Sequence, residues 1–385
     1  MLKKEMIDNQ ALSAHALFFD DVHRNLVLNV DKDGNPAGRY VSIPEGCKIH
    51  ENSDITFFFY APNAKSVEVG GLSSDNNDKK YKMTKDEAGW WQVTVSGIDS
   101  GLHYHDYYVD STRTINPYEP YAYGCGRIMN FFELPDKYSQ FYLLQDVPHG
   151  TLRMDYFKSE YTGRFCSCWV YTPPEYEVTP DKRYPVLYLQ HGGGESETGW
   201  IWQGKINHII DNMIADGLCK DIIIVMNCGT AYPRDGSDIN EPALSNVEEV
   251  IVHDCIPFID SKYRTISDRH GRAIAGLSMG AGQALRTCVN YNDVFANAGI
   301  FSSLFTYDSG DTKRLTDNID KFKNNFDLLF IGVGEYEPTF EFNRQLMRDL
   351  RLKGMPSVFY CAPGGHEWHV WRYCVREFVA RLWRY

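Results

Sequence analysis

The sequence predicts an α/β domain built on a mostly parallel sheet and preceded by a small all-β sandwich. Three observations predict it. Short aromatic and β-branched runs parted by turns fill residues 54–134, and apolar strands alternate with amphipathic, helix-length segments beyond residue 150. A G-x-S-x-G pentapeptide, Gly276-Leu277-Ser278-Met279-Gly280, directly follows one of those apolar runs. At 385 residues the chain also exceeds one typical core, which argues for two domains.

Residues 1–50 are weakly patterned and read as a lead-in segment. Met1-Leu2-Lys3-Lys4-Glu5 carries two lysines, but the nearest apolar stretch, Ala11 to Phe19, is broken by Ser13 and His15. No signal peptide is expected, and the cytoplasm is the expected location. The sandwich is expected over residues 51–135. Its strands read as Thr56-Phe57-Phe58-Phe59-Tyr60, Ser66-Val67-Glu68-Val69, Trp90-Trp91-Gln92-Val93-Thr94-Val95 and Tyr104-His105-Asp106-Tyr107-Tyr108-Val109. Turn signals at Ala61-Pro62-Asn63, Gly70-Gly71, Glu87-Ala88-Gly89 and Ser100-Gly101 separate them, as in an immunoglobulin-like sandwich. Trp90 and Trp91 alternate on one strand, so one packs inward and the other turns out, where a sugar ring can stack on it. A chain with 25 Tyr, 21 Phe and 8 Trp suits sugar recognition, but plain β-rich cores are the commoner cause.

A stretch rich in Tyr, Pro and Gly from Asn116 to about Gly126 reads as a linker. The second domain is expected over residues 136–385. Its strands are Cys168-Trp169-Val170-Tyr171, Val186-Leu187-Tyr188-Leu189, Ile222 to Met226, Ala273-Ile274-Ala275, Leu328 to Ile331 and Val358-Phe359-Tyr360. Helix-length amphipathic segments such as Ile206 to Ala215 and Asn343 to Leu352 lie between the later ones. Such alternation means a parallel sheet covered on both faces.

A formal net charge of −12 argues against nucleic acid and anionic membrane as partners, and no run approaches the ~20 apolar residues of a membrane span. The ten cysteines include Cys166 and Cys168, two apart on one strand, with no C-x-x-C pair and no zinc spacing. They read as reduced thiols. No metal or organic cofactor is expected.

The chemistry centres on Ser278. A strand entering a sharp turn and then a helix holds such a serine above the sheet edge, and flanking glycines avoid collisions with neighbouring elements. A serine hydroxyl needs a base, an orienting acid and an oxyanion hole. After the strand Val358–Tyr360, Ala362-Pro363-Gly364-Gly365-His366 sets a histidine on a glycine loop before the last helix, a placement shared by none of the other eleven histidines of the twelve. After the strand Leu328–Ile331 comes Gly332-Val333-Gly334-Glu335-Tyr336-Glu337. Of its two carboxylates Glu335 is the favoured acid and Glu337 the alternative, and the one not used is expected to be a solvated loop carboxylate. For the oxyanion hole, the expected N–H donors are Met279, just after the nucleophile, and Gly193 of Gln190-His191-Gly192-Gly193-Gly194. Trp200, Trp202 and Gly194, close behind or within the glycine loop, are candidate substrate contacts, although the tryptophans are equally good core residues.

At these residues the chain resembles carbohydrate esterase family one, the esterase-D-like group that includes feruloyl esterases and acetyl xylan esterases. The matching segments are Tyr184 to Gly194, Gly199-Trp200, Ile210 to Ala215, Ile256 to Asp260, Tyr263-Arg264-Thr265, Arg272 to Gly280 and Gly364 to Arg372. The resemblance implies an α/β-hydrolase domain and hydrolysis of acyl esters on plant-wall sugars. In relatives the triad acid is usually Asp in a Gly-x-x-Asp loop, and Gly332-Val333-Gly334-Glu335 replaces it with Glu. The β domain resembles the glycogen-branching-enzyme-type early-set module, through Tyr60-Ala61-Pro62-Asn63-Ala64 and Gly89 to Thr94.

The expected function is therefore a serine esterase removing feruloyl or acetyl groups from xylan-derived saccharides, with the acylated oligosaccharide or xylan as its partner. A homodimer through the sandwich is an open alternative to the sandwich acting as a cover for the active-site mouth. Two other readings are distinguishable. An esterase of trilactone siderophores would favour a basic pocket, which suits a polyanionic substrate better than this acidic chain does. A glycan-binding protein on the same scaffold would bind sugar without hydrolysis, unchanged in Ser278→Ala.

Overall fold

The structure, a computed structural model, describes residues 26–30, 33, 35–42, 46–72, 79–231, 246–303 and 310–383. The expected lead-in, with its Ala11–Phe19 stretch, lies outside the described residues up to residue 25. The chain divides into two units, Met1–Leu144 and Gln145–Tyr385, so the boundary falls some residues beyond the expected 135. The cause is local: the strand Arg127–Leu134 and the 3-10 turn Ser139–Tyr142 belong to the first unit, and Tyr142 and Leu143 are buried.

In the first unit Leu26–Val30 and Pro36–Ser42 form an antiparallel hairpin of their own, and Cys47–Ile49 pairs with Ile55–Tyr60. Part of the expected lead-in is therefore strand. A four-stranded sheet runs Cys47–Ile49, Ile55–Tyr60, Trp90–Val95, Thr84–Lys85. The other runs Tyr121–Gly124, Arg127–Leu134, Gly101–Val109, Val67–Gly70, Lys80–Lys82, with Thr112–Thr114 also on Gly101–Val109. Alternating residues of both, Ile55, Phe57, Phe59, Trp91 and Val95 with Val67, Val69, Tyr107, Phe132 and Leu134, make one core. Trp91 is thus the inward member of the tryptophan pair, its Nε1–H donating to the Ala61 carbonyl at 2.9 Å. Trp90 is half-buried, with its ring 5.0 Å from Tyr60 and 6.2 Å from Tyr118.

The Asn116–Gly126 stretch is not a linker. Tyr121–Gly124 pairs with Arg127–Leu134, and buried Asn116 exchanges hydrogen bonds of 2.7 and 2.9 Å with Asn130. Its Pro and Gly residues serve turns within the module, which composition does not separate from a tether.

The second unit carries eight strands: β1 (Thr151–Lys158), β2 (Phe165–Thr172), β3 (Val186–Gln190), β4 (Ile223–Asn227), β5 (Arg272–Leu277), β6 (Asn297–Phe301), β7 (Leu328–Gly334) and β8 (Ser357–Ala362). Their order is β1-β2-β4-β3-β5-β6-β7-β8, antiparallel at β1/β2 and β2/β4 and parallel elsewhere. That is the mostly parallel α/β-hydrolase sheet expected. β1 and β6 are additions to the predicted strands. β1 lies at the sheet edge and alternates exposed and buried residues only in its second half, and Asn297-Ala298-Gly299 in β6 has low strand propensity yet is wholly buried between β5 and β7.

Five helices frame the chemistry: α1 (Gly199–Trp202), α2 (Ile206–Ala215), α3 (Met279–Asn290), α4 (Phe340–Leu352) and α5 (Trp368–Val379). α3 packs on β5 and β6, and α5 on β6, β7 and β8. Loops leaving the C-terminal ends of the parallel strands therefore converge on one edge, where such sheets carry their sites. All ten cysteines are free thiols.

Candidate active site

Ser278 sits between the end of β5 and the start of α3 with φ +52° and ψ −115°. A non-glycine residue held there stores on the order of 1–3 kcal/mol of strain, which the surroundings must enforce. The glycines of the pentapeptide show how. A Cβ on Gly276 would stand 2.4 Å from the Gly280 carbonyl oxygen and 2.9 Å from Gln190 Cβ. One on Gly280 would stand 2.5 Å from the His191 carbonyl oxygen. The strand and helix therefore close against each other and against the end of β3 with no room for a side chain, and the serine is forced outward.

His366 meets it. Its Nε2 lies 2.9 Å from Ser278 Oγ and its Nδ1 3.0 Å from Glu337 Oε2. With Nε2 accepting from the hydroxyl, Nδ1–H donates to the carboxylate. The ring also sits edge-on to Trp371, with centroids 5.2 Å apart and planes at 87°.

The carboxylate that meets His366 is Glu337, which corrects the expectation of Glu335. Glu335 is exposed, and its backbone N–H continues the β7–β8 ladder by donating to Ala362 O. The chain then turns: Glu337 N–H donates to Gly334 O at 3.2 Å, and Gly334 N–H returns a bond of 2.8 Å to Glu337 Oε1. That fold-back brings Glu337, 4% exposed, onto the His366 loop. Gly334 permits the approach, because a Cβ there would lie 2.6 Å from Gly364 O. Sequence reasoning also missed two supports. Ser302, at φ +54° and fully buried, donates to Glu337 Oε1. Trp371 Nε1–H donates to Ser302 Oγ at 2.9 Å. No spacing rule links residues 302, 337 and 371, so the sequence held no signal for them.

For a developing oxyanion, Met279 opens α3, and the first N–H groups of a helix have no acceptor within it. The glycine loop lies alongside: a Cβ on Gly192 would stand 3.5 Å from Ser278 Cβ and 2.5 Å from Leu277 Cδ1. Gly193 is the next residue, exposed and with open space around it.

More than half of the chain, residues 159–381, matches the Esterase family model. The chain belongs to the Esterase family. Residues 44–122 match carbohydrate-binding module 48, the isoamylase N-terminal domain. The chain is 33% identical over 331 residues to an endo-1,4-beta-xylanase/feruloyl esterase of Xylanibacter ruminicola, covering 84% of this chain and 44% of that protein. It therefore spans less than half the length of that relative. It is 31% identical over 152 residues to endo-1,4-beta-xylanase Y of Acetivibrio thermocellus, covering 36% of this chain and 13% of that one. Two solved structures share the fold. The enterobactin esterase of Shigella flexneri aligns with TM-score 0.63 at 15% identity over 86% of this chain and 93% of its own. A ferulic acid esterase of Anaeromyces mucronatus aligns with TM-score 0.53 at 22% identity over 64% of this chain and 95% of its own.

The remaining expectations divide. Trp200 is a core residue, which corrects its candidacy as a substrate contact. It is fully buried, its Nε1–H donates to Gln190 O at 2.9 Å, and its ring packs perpendicular to Trp368 at 5.4 Å. Trp202, two residues on in α1, is half-buried, and Gly194 is exposed at φ +76°. Among the described residues no three His, Cys, Asp or Glu side chains gather as a metal site, and no helix is long and apolar enough to cross a membrane.

Proposed function

We propose that this esterase hydrolyses feruloyl or acetyl esters of xylan-derived saccharides through an acyl-enzyme on Ser278. The observation that carries the chemistry is the continuous relay from Ser278 Oγ through His366 to buried Glu337, with bonds of 2.9 and 3.0 Å. Ser278 Oγ attacks the ester carbonyl carbon as His366 Nε2 takes its proton. Glu337 keeps its charge and stabilises the imidazolium through Nδ1–H. The carbonyl electron pair becomes an oxyanion facing the Met279 and Gly193 N–H groups, where each preorganised donor is worth about 2.7–4 kcal/mol. The oxyanion collapses, the C–O bond to the sugar breaks, and the sugar oxygen takes the proton from Nε2. Water, deprotonated by the same nitrogen, then attacks the acyl-enzyme and releases the carboxylic acid and free Ser278.

The substrate class is supported by the Xylanibacter relative, whose alignment takes in both units of this chain. The matched carbohydrate-binding module supports a saccharide carrier, and its half-buried Trp90 beside Tyr60 offers a stacking surface. The enterobactin esterase likeness, over 86% of the chain, favours a second reading on a trilactone siderophore. The net charge of −12 opposes a polyanionic substrate.

One experiment separates these. The protein and its Ser278→Ala variant are incubated with feruloylated and acetylated arabinoxylo-oligosaccharides and, in parallel, with ferric enterobactin. Ferulate or acetate from the wild type alone is the expected result. Hydrolysis of the siderophore alone would replace the proposed substrate, and release of neither acyl group would sink the xylan reading.

A further inference from the structure

The mechanism leaves His191 without a task, although it stands beside the oxyanion loop and is 2% exposed. Both of its ring nitrogens are engaged. Gly229 N–H donates to Nε2 at 2.8 Å, so Nε2 carries the lone pair. The neutral ring therefore has its proton on Nδ1, which lies 2.9 Å from the Gly192 carbonyl oxygen. Burial pushes the ring below its ordinary value of 6.5, and the bond to Gly192 opposes that only in part. The neutral tautomer is the one both bonds need.

The far end of this clamp is tied to the nucleophile's helix. Gln283, one turn into α3 and 1% exposed, donates from Nε2 to Gly229 O at 2.7 Å. A Cβ on Gly229 would lie 3.0 Å from His191 Nε2 and 3.3 Å from Met279 Cε, so the loop after β4 runs close against both. Helix, β4 loop and glycine loop are thus linked in series: Gln283, Gly229, His191, Gly192.

We infer that His191 is a positioning residue for the oxyanion hole, holding the Gly192–Gly193 peptide so that the Gly193 N–H is presented to the reacting carbonyl. In a trans peptide the carbonyl oxygen and the following N–H point in opposite directions. Holding the Gly192 oxygen against His191 Nδ1–H turns the Gly193 N–H to the opposite side. Without the clamp the peptide can rotate, because neither buried Gly192 nor exposed Gly193 carries a side chain that would restrict it. A rotated peptide would present an oxygen to the oxyanion instead of a donor. The inference rests on the serine-esterase reading, whose hole it orients.

The two bonds can be cut separately. Asn places a side-chain N–H near the Nδ1 position and falls short of Gly229, whereas Gln places its amide near Nε2 and loses the donor to Gly192. His191→Ala, His191→Asn and His191→Gln are compared with the wild type on 4-nitrophenyl acetate. Rates are normalised to active sites titrated with a fluorophosphonate, and phenylboronic acid serves as a tetrahedral mimic. Removing an oxyanion donor outright costs about 10²–10³ in rate, so loosening one should cost about tenfold to a hundredfold in kcat/KM. Ala and Gln are expected to show that loss, with Ki for phenylboronic acid rising by a similar factor. Asn is expected to stay within about threefold of wild type, on the same scale. A merely structural histidine would lower the titrated fraction and leave kcat/KM per active site and the boronate Ki unchanged, which would overturn the assignment. So would a Gln variant as active as Asn. If the Ala variant does not fold, the Asn–Gln comparison decides alone. A wild type inert to both ester and fluorophosphonate would sink the serine-esterase reading itself, a result distinct from any ranking of the variants.

Discussion

Glu337 can hold His366 because its own carboxylate is held from behind. Oε1 accepts from Gly334 N–H and Ser302 Oγ–H, which leaves Oε2 aimed at His366 Nδ1. Two residues earlier, Glu335 has the same chemistry and none of these partners toward the histidine. Glu337→Gln should keep the fold and lower kcat by about 10⁴, the scale seen when a triad acid becomes an amide. Glu335→Gln should stay within about twofold, as surface substitutions away from a site do. Steady-state ester hydrolysis by both variants checks the assignment, and equal losses would return Glu335 to the site. The reason Glu335 looked better in the sequence is plain at this scale. It is the first carboxylate past the strand, and nothing in Gly334-Glu335-Tyr336-Glu337 announces that the chain folds back by one turn.

At the scale of elements, the strand–elbow–helix unit of β5 and α3 is defined by what it excludes. Gly276 and Gly280 face each other across the elbow, and both press on Gln190, the last residue of β3. Gly280→Ala would set a Cβ 2.8 Å from Gln190 Cβ, at the end of a central strand that cannot yield easily, and 2.5 Å from the carbonyl oxygen of His191, the residue that follows it. Overpacking of this kind costs about 1–3 kcal/mol. The expected outcome is a Tm lower by roughly 2–4 °C per kcal/mol. Activity should fall as well, because the helix carrying Met279 must shift. A melting curve indistinguishable from wild type would show that the elbow has slack. The same scale explains β6. Its Asn297-Ala298-Gly299 start is a poor strand by propensity, and it is a strand because β5 and β7 on either side supply its ladders.

For the whole molecule, the division into Met1–Leu144 and Gln145–Tyr385 places every group of the proposed mechanism in the second unit. That unit has its own hydrophobic core, running from Phe157 to Met355. A chain beginning at Gln145 should therefore fold alone and hydrolyse 4-nitrophenyl acetate with kcat within about threefold of the full chain, since a compact unit with its own core is able to fold independently. The check is circular dichroism with active-site titration of the truncated protein. A soluble truncated unit that lacks activity would mean the first unit contributes to the site.

The sequence by itself determined six of the eight strands of the second unit, the two-unit plan, the candidate nucleophile Ser278, the candidate base His366 and the glycine loop from His191 to Gly194. All of these are written as local patterns: apolar runs of fixed period, glycines where a side chain would collide, a histidine on a loop after a strand. Only the tertiary structure decided that Glu337 displaces Glu335, that Trp200 belongs to the core, and that Ser302, Trp371 and His191 support the reacting groups. Each of those depends on residues far apart in the chain meeting at a sheet edge, or on a single turn choosing which of two like side chains points inward. A hydrogen bond is decided to within an ångström, and local periodicity carries no information at that precision.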